Sequence, residues 1–445
     1  MKNIKPMSVA GTFYSKIQTD LKNQIEDFAK NNKNKYKLPA RAVIVPHAGL
    51  VYSGRLAYEG ISQLDKNLKT LIIFAPAHKA GFEEIALSGY DSWQTPLGEI
   101  EVNNEINSEL TEKFNAKYND YALQYEHSIE IQVPIIQSIF ENVKIVPVLT
   151  GKTAPQKVAE IINNYYRNTR IGFIISSDLS HFHEDNKARK IDRITAQMIE
   201  TNTVDNFTHE QACGATGIIG LMMFAAKNNY SLIRIDMTNS GAVSGEKSSV
   251  VGYGCWFLYE GDKNEFIKKY YSEFVLDLCK TVITSRLDNK NISLTYPQVF
   301  DEHGACFVTL EKNNNLRGCI GSIIAHRPLI EDIVNNSQNA AFGDFRFNPV
   351  SKEEVNDLQI AVSLLTDPKP MEFTHEENLL NKIKPFNDGI IIKDKNYQAV
   401  YLPSVWEQLP DKKEFLNSLK IKAGLSPEYF SKTFEVYKFE TVYIK

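Results

Sequence analysis

The sequence predicts two domains of different class: an α/β domain on a largely parallel central sheet over residues 1–262, and a smaller α+β domain over residues 263–445. Three observations carry this reading. Apolar, β-branched runs recur through the first 260 residues and stop abruptly at polar residues; amphipathic stretches separate them; beyond residue 263 a long helical pattern gives way to hairpin-like strands. Continuous apolar runs are what strands buried on both faces look like, and amphipathic segments between them supply the covering helices of a parallel sheet. At roughly 100–200 residues per domain, 445 residues exceed a single core.

In chain order, DLKNQIEDFAKN is a first amphipathic helix, and ARAVIVPHAG is a strand that ends at His47. TLIIFAPAH is a second strand, ending at His78, and EHSIEIQVP opens a helix with Glu126, His127 and Glu130 in its first turn. APQKVAEIINNYYRN is another covering helix, followed by the strand RIGFIISSDLSH, which runs out at Asp178 and His181. WFLYEGDKN closes the last strand of the first domain with a Gly-Asp turn, and EFIKKYYSEFVLDLCKTVITSRL begins the second domain as a helix. CFVTLEKNNNLRGCIGSI reads as two strands joined by a polar turn.

Composition narrows the function classes. Charge is near balance, with 50 Lys+Arg against 54 Asp+Glu, so the surplus of basic residues that a phosphate-backbone binder needs is absent and no nucleic-acid partner is expected. No run approaches the roughly 18–20 apolar residues of a membrane span. The start, MKNIKPMSVAGTFY, lacks the apolar core of a secretory signal, so a cytoplasmic location is expected. The five cysteines form neither a CxxC pair nor a zinc-ligand spacing and are expected as reduced thiols.

The chemistry collects at strand ends. In α/β sheets ligands bind at the carboxyl ends of the strands, so His47, His78, Asp178 and His181 are expected to share one pocket. His47 and His78 are the candidate metal ligands, because two imidazoles with open positions left over suit non-haem iron. Capping of a strand end is the alternative for each. His181 is a candidate general base, imidazole being the natural proton shuttle near neutrality, with Asp178 orienting it; three residues apart, the two face one side if the segment turns helically. The other reading is that Ser177 or Asp178 caps the next helix. For His127 a pocket role, which would make it a third catalytic candidate, and a structural role both stand open. As ligands facing a cleft, His47 and His78 are expected to contribute about 1 kcal/mol or less to stability.

LRGCIGS carries the second constellation. Arg317 and Cys319 project to one face of a strand, where the guanidinium would favour a thiolate, and Gly318 and Gly321 would leave the backbone open to a ligand. Burial of Cys319 for packing is the alternative.

VAGTFYS, VPHAGLVYSG, PAH, TPLGEI, EHSIEIQVP, SSDLSHF, ACG and SSVVGYG stand in the order and spacing of the Memo family, which the chain resembles over nearly all of residues 5–260. That family is similar in fold to the class III extradiol dioxygenases. The resemblance implies a metal-dependent redox enzyme, with His47 and His78 at the metal, His181 as base, iron or else copper as the ion, and a small, phenolic substrate. One departure stands out: where metal-binding Memo proteins carry a cysteine, this sequence arrives near Val243, and Cys255, twelve residues on, reads as a buried structural thiol. That departure favours one alternative, a ligand- or peptide-binding module with a vestigial site; a scaffold for a radical-SAM partner is a further alternative. LRGCIG, AAFGDFRFNPVSKEEV, AVSLLTDPKP and AVYLPSVWEQ resemble an AMMECR-type domain across most of residues 265–445, where Asp344 and Arg346 join Arg317 and Cys319 as candidate ligand-binding groups. Because prokaryotic Memo and AMMECR-type proteins commonly occur beside a radical-SAM protein, the fusion implies such a partner.

Overall fold

In the computed structural model, residues 2–32 and 39–445 are described. The chain forms two compact units, Met1–Lys263 and Asn264–Lys445.

The first unit is α/β. Its main sheet runs, in spatial order, His181–His183, Val250–Tyr259, Ala42–Val45, Ile171–Ser176, Thr70–Pro76, Lys144–Thr150, Ile85–Leu87 and Lys117–Tyr118, and Ser231–Asn239 also pairs with Val250–Tyr259. The four strands from Ala42–Val45 to Lys144–Thr150 are mutually parallel, while Val250–Tyr259 joins them antiparallel. Every residue of Ala42–Val45, Thr70–Pro76 and Ile171–Ser176 is buried, which explains why these strands read as unbroken apolar runs. Each large aliphatic side chain so buried contributes on the order of 1.5–3 kcal/mol. The helices Pro155–Tyr165 and Ala215–Asn228 supply Val158, Ile161, Ile218 and Leu221 to the core on this sheet.

Register places the chemistry. Val45 is paired with Ser176, and Phe74 with Ile175, so the strands end nearly level. His47, Asp178 and His78 each follow within two residues of a strand end. The segment Ser177–Ser180 is extended loop and His181–His183 a short edge strand, so the helical turn expected to align Asp178 with His181 does not form. Nor does Ser177 or Asp178 cap a helix: the next one, Asp185–Glu200, is capped by Glu184, whose carboxylate accepts the Asn186 and Lys187 amides.

The second unit is α+β, with two four-stranded antiparallel sheets. One runs Asn315–Gly321, Ala305–Lys312, Leu358–Leu365, Thr441–Ile444; the other Lys369–Pro370, Glu435–Phe439, Gly389–Asp394, Tyr397–Tyr401. Asn313 and Asn314 join the first two strands with φ of 53° and 62°. Two consecutive left-handed residues make the type I′ hairpin turn, and asparagine tolerates that conformation best after glycine.

Candidate metal centre

His47, His78 and His127 meet at the carboxyl end of the sheet. One ligand atom from each falls within 4.8 Å of the other two. Ring centroids lie 5.2 Å apart for His47–His78, 5.4 Å for His47–His127 and 4.7 Å for His78–His127.

His127 reaches this group because its short helix, His127–Glu130, is stapled across three strand ends. The Ser128 hydroxyl donates to the Pro76 carbonyl at 2.9 Å and the Ser176 hydroxyl donates to the Ser128 carbonyl at 2.6 Å. From the next turn, the Gln132 amide donates to the Pro46 carbonyl at 2.8 Å and to the Ser176 hydroxyl at 3.0 Å. Tertiary bonds, not local pattern, thus put the third imidazole beside the two strand-end histidines.

The partners of each ring fix its tautomer. Ser176 directs its own proton to Ser128, so toward His47 Nδ1, 3.1 Å away, it is an acceptor. His47 therefore carries its proton on Nδ1 and has its lone pair on Nε2, where the Cys213 thiol meets it. The Glu126 carboxylate lies 2.9 Å from His78 Nδ1 and 3.2 Å from His127 Nδ1. Burial opposes its ionisation, but hydrogen bonds from His127 and His78 prevail and hold its carboxyl well below the usual range. An ionised carboxylate only accepts, so both rings turn a protonated Nδ1 toward Glu126. Burial, and then the neighbouring His78 and His127, keep His47 neutral. Three imidazoles with one ligand atom of each within 4.8 Å of the other two fit a divalent ion of borderline softness.

Other polar groups surround this cluster. Asp178 accepts the His47 backbone N–H at 2.8 Å. Burial pushes its carboxyl up to about 7 against the pull of the His47 and Ala48 amides. His181 lies outside the three-histidine group; burial lowers its pKa, and the charge of His78 adds to that effect. The Cys213 thiol, just before the helix Ala215–Asn228, is 3.2 Å from His47 Nε2, and burial pushes it up to about 12. Sequence reasoning sought a thiol near Val243 or Cys255 and missed this one; the ACG string was the available signal. Val243 is half exposed on the turn Gly241–Ser244, and Cys255 is fully buried.

A wall of the site comes from the chain's start. Phe13 stacks 4.5 Å from His127, and its carbonyl accepts the Leu50 amide at 2.8 Å. Residues 5–14 are anchored by buried Glu130, which accepts Lys5 Nζ at 2.7 Å, the Val9 amide at 3.0 Å and the Tyr14 hydroxyl at 2.9 Å.

In the second unit, Cys319, Asp344 and Arg346 form one cluster. The Cys319 amide donates to Asp344 at 2.9 Å, and the Arg346 guanidinium clamps both Asp344 oxygens at 2.9 and 2.7 Å. Arg317 turns instead to Glu354, at 2.7 Å, and the Cys319 thiol meets the Thr309 hydroxyl at 3.3 Å. The glycines expected to open the strand to a ligand serve packing: a Cβ on Gly318 would overlap the Ala340 carbonyl, and one on Gly321 the Phe307 ring.

Against known proteins, residues 5–257 match the family described as Memo-like protein. The chain belongs to the Memo family. Residues 276–444 match AMMECR1, so a Memo unit is fused to an AMMECR1 unit. A MEMO1 family protein of Nitrosopumilus maritimus is 34% identical over 275 residues, covering 56% of this chain and 97% of the relative. One from Aquifex aeolicus is 28% identical, over 57% of this chain and 99% of the relative. Protein MJ0810 of Methanocaldococcus jannaschii is 37% identical over 38% of this chain and 86% of its own length. Among solved structures, the uncharacterized protein PH0010 of Pyrococcus horikoshii is 35% identical, covering 39% of this chain and 89% of its own, at a TM-score of 0.37.

Proposed function

We propose that the Memo unit is a metal-dependent oxidoreductase of the extradiol-dioxygenase-like kind, holding iron on His47, His78 and His127 and acting on a small phenolic substrate. The observation that supports this most is the convergence of three imidazoles whose Nδ1 atoms are engaged elsewhere. Bound there, iron would supply a Lewis acid and one-electron redox chemistry. The chain's own residues do the rest. His181, kept neutral by burial, accepts the proton of a substrate hydroxyl. Asp178, poised near 7, holds the His47 loop through its backbone and exchanges a proton with the same pocket. Phe13 forms an apolar wall against which a planar substrate packs. A radical-SAM protein is proposed as the partner that shares this substrate's chemistry.

The test is elemental analysis of protein purified without a histidine tag, then anaerobic loading with Fe(II) and oxygen uptake with a panel of catechols. One bound ion per chain, lost in His78→Ala, and oxygen uptake with at least one catechol are expected. Absence of bound metal at micromolar Fe(II) would refute the proposal. A second reading, a ligand-binding module with a vestigial site, is favoured by one observation: among the described residues the ligand group contains no carboxylate or thiolate. Metal binding without oxygen uptake across the panel would select it.

A further inference from the structure

Two buried carboxylates stand on one short helix and its cap, and their surroundings differ. Glu130 has a cation, Lys5, at 2.7 Å. Glu126, 1% exposed, has no Lys or Arg paired with it among the described residues: its partners are His78 through both the ring and the backbone N–H, His127 through its ring, and the Ser128 amide. The groups bonded to Glu126 include two of the three rings that meet at the candidate metal position, so one carboxylate touches both.

We infer that Glu126 is the positioning residue of this centre, a single carboxylate that sets the tautomer and orientation of His78 and His127 together and supplies the negative charge that the ligand set lacks. This rests on the metal-centre reading above. The geometry divides the work between the two oxygens. Oε1 meets the His78 ring Nδ1 at 2.9 Å, accepts the Ser128 amide and lies 3.2 Å from His127 Nδ1, while Oε2 takes the His78 amide at 2.6 Å. Glutamine cannot replace it in either orientation. With its NH2 on the Oε2 side it opposes the His78 amide, donor against donor. With its NH2 on the Oε1 side it opposes both rings, which must then move their protons to Nε2 and lose the lone pairs there.

Two measurements test this. The first is histidine 15N NMR on metal-free protein at pH 8: Nδ1 of His78 and His127 is expected to carry a proton, and an unprotonated Nδ1 on either ring would overturn the inference. The second is titration with Co(II) as the probe, with far-UV circular dichroism to verify folding. Removing an orienting partner of a ligand histidine typically costs 10–100-fold in affinity, and Glu126→Gln is expected in that range. Glu126→Asp, which keeps the charge and both acceptors, is expected closer to wild type. A Glu126→Gln affinity within threefold of wild type, or the reverse order of the two variants, overturns the inference. Failure of wild-type protein to bind Co(II) counts against the proposed function, and the NMR measurement then decides the role of Glu126 by itself.

Discussion

Asp192 is buried, makes no ion pair among the described residues, and gives the first prediction a definite sign. It sits on the helix Asp185–Glu200, accepts the Ser180 amide at 3.0 Å, and faces Gly252, where any Cβ would overlap its carboxylate. Burial raises its pKa to about 6, against the opposing pull of Ser180 and of the Arg189 charge. An unfolded aspartate titrates near 3.9, so folding favours the protonated form. Stability is therefore greatest below pH 3.9, falls as pH rises toward 6, and carries the full cost above it. A difference of about two units at 1.36 kcal/mol each corresponds to roughly 3 kcal/mol at pH 7. Asp192→Asn keeps an oxygen for the Ser180 amide and removes the charge. At pH 7 the variant should be more stable by up to about 3 kcal/mol, a rise of about 5–10 °C at the roughly 2–4 °C per kcal/mol of a domain this size. At pH 4 the two should coincide. Calorimetry at pH 4, 5.5 and 7 measures this. A folded variant that is less stable than wild type at pH 7, or a difference that does not change with pH, would show that Asp192 is ionised at no cost and that the reasoning from burial is wrong.

Three further outcomes are expected. Adding Co(II) to one hundred times its dissociation constant should stabilise the first unit by about 2.7 kcal/mol, and His47→Ala should abolish the shift in melting temperature. Because His47 is 1% exposed rather than cleft-facing, the same variant should also lose about 2–4 kcal/mol of stability, more than its sequence position predicts; an unchanged melting temperature would contradict this. Gly318→Ala should destabilise the second unit by about 1–3 kcal/mol in calorimetry, since the helix Leu329–Phe342 must retreat from the new methyl; a neutral effect would return the glycine to a ligand role. Brief iodoacetamide treatment at neutral pH should label half-buried Cys319 first. Cys255, Cys279 and Cys306 are fully buried, and burial pushes Cys213 up to about 12, so labelling of any of these ahead of Cys319 by mass spectrometry would refute that order.

The sheet was legible because a strand buried on both faces must be apolar throughout, so the first polar residue after it marks the carboxyl end. His47, His78 and Asp178 were found in that way, and level registers then bring them together. His127 was legible only as an ambiguity. Its placement depends on Ser128 reaching Pro76 and on Ser176 reaching back to Ser128, bonds that span 52 and 48 residues. Glu126 was visible as a helix-cap acid, and it does accept the Ser128 amide, but its bonds to His78 cross 48 residues and leave no local periodicity. Cys213 meets His47 across 166 residues, which no pattern within one element encodes. In the second unit the error was of a different kind. Glycines in a strand signal close approach, and the approaching groups proved to be the protein's own Ala340 carbonyl and Phe307 ring.

The departure at Val243 takes on a different meaning once His127 and Glu126 are in place. A two-histidine, one-carboxylate set neutralises one of the two charges of a divalent ion by direct ligation. Three neutral imidazoles would neutralise none of an ion's charge, and in the proposed centre Glu126 would bring a negative charge to within one imidazole of the ion without being a ligand itself. On the proposed function, such a centre would replace an inner anion by an outer one and leave positions for substrate and a second reactant. Nitrogen donors select against magnesium and calcium, which prefer oxygen, and by the usual order of affinities favour copper and zinc over ferrous iron. Metal content after aerobic purification would accordingly follow that order whatever ion the protein uses, whereas oxygen uptake by protein loaded anaerobically with each ion in turn reads the chemistry directly. If iron is the working metal, only the Fe(II)-loaded protein should consume oxygen with a catechol, and zinc, although it binds more tightly, should inhibit it.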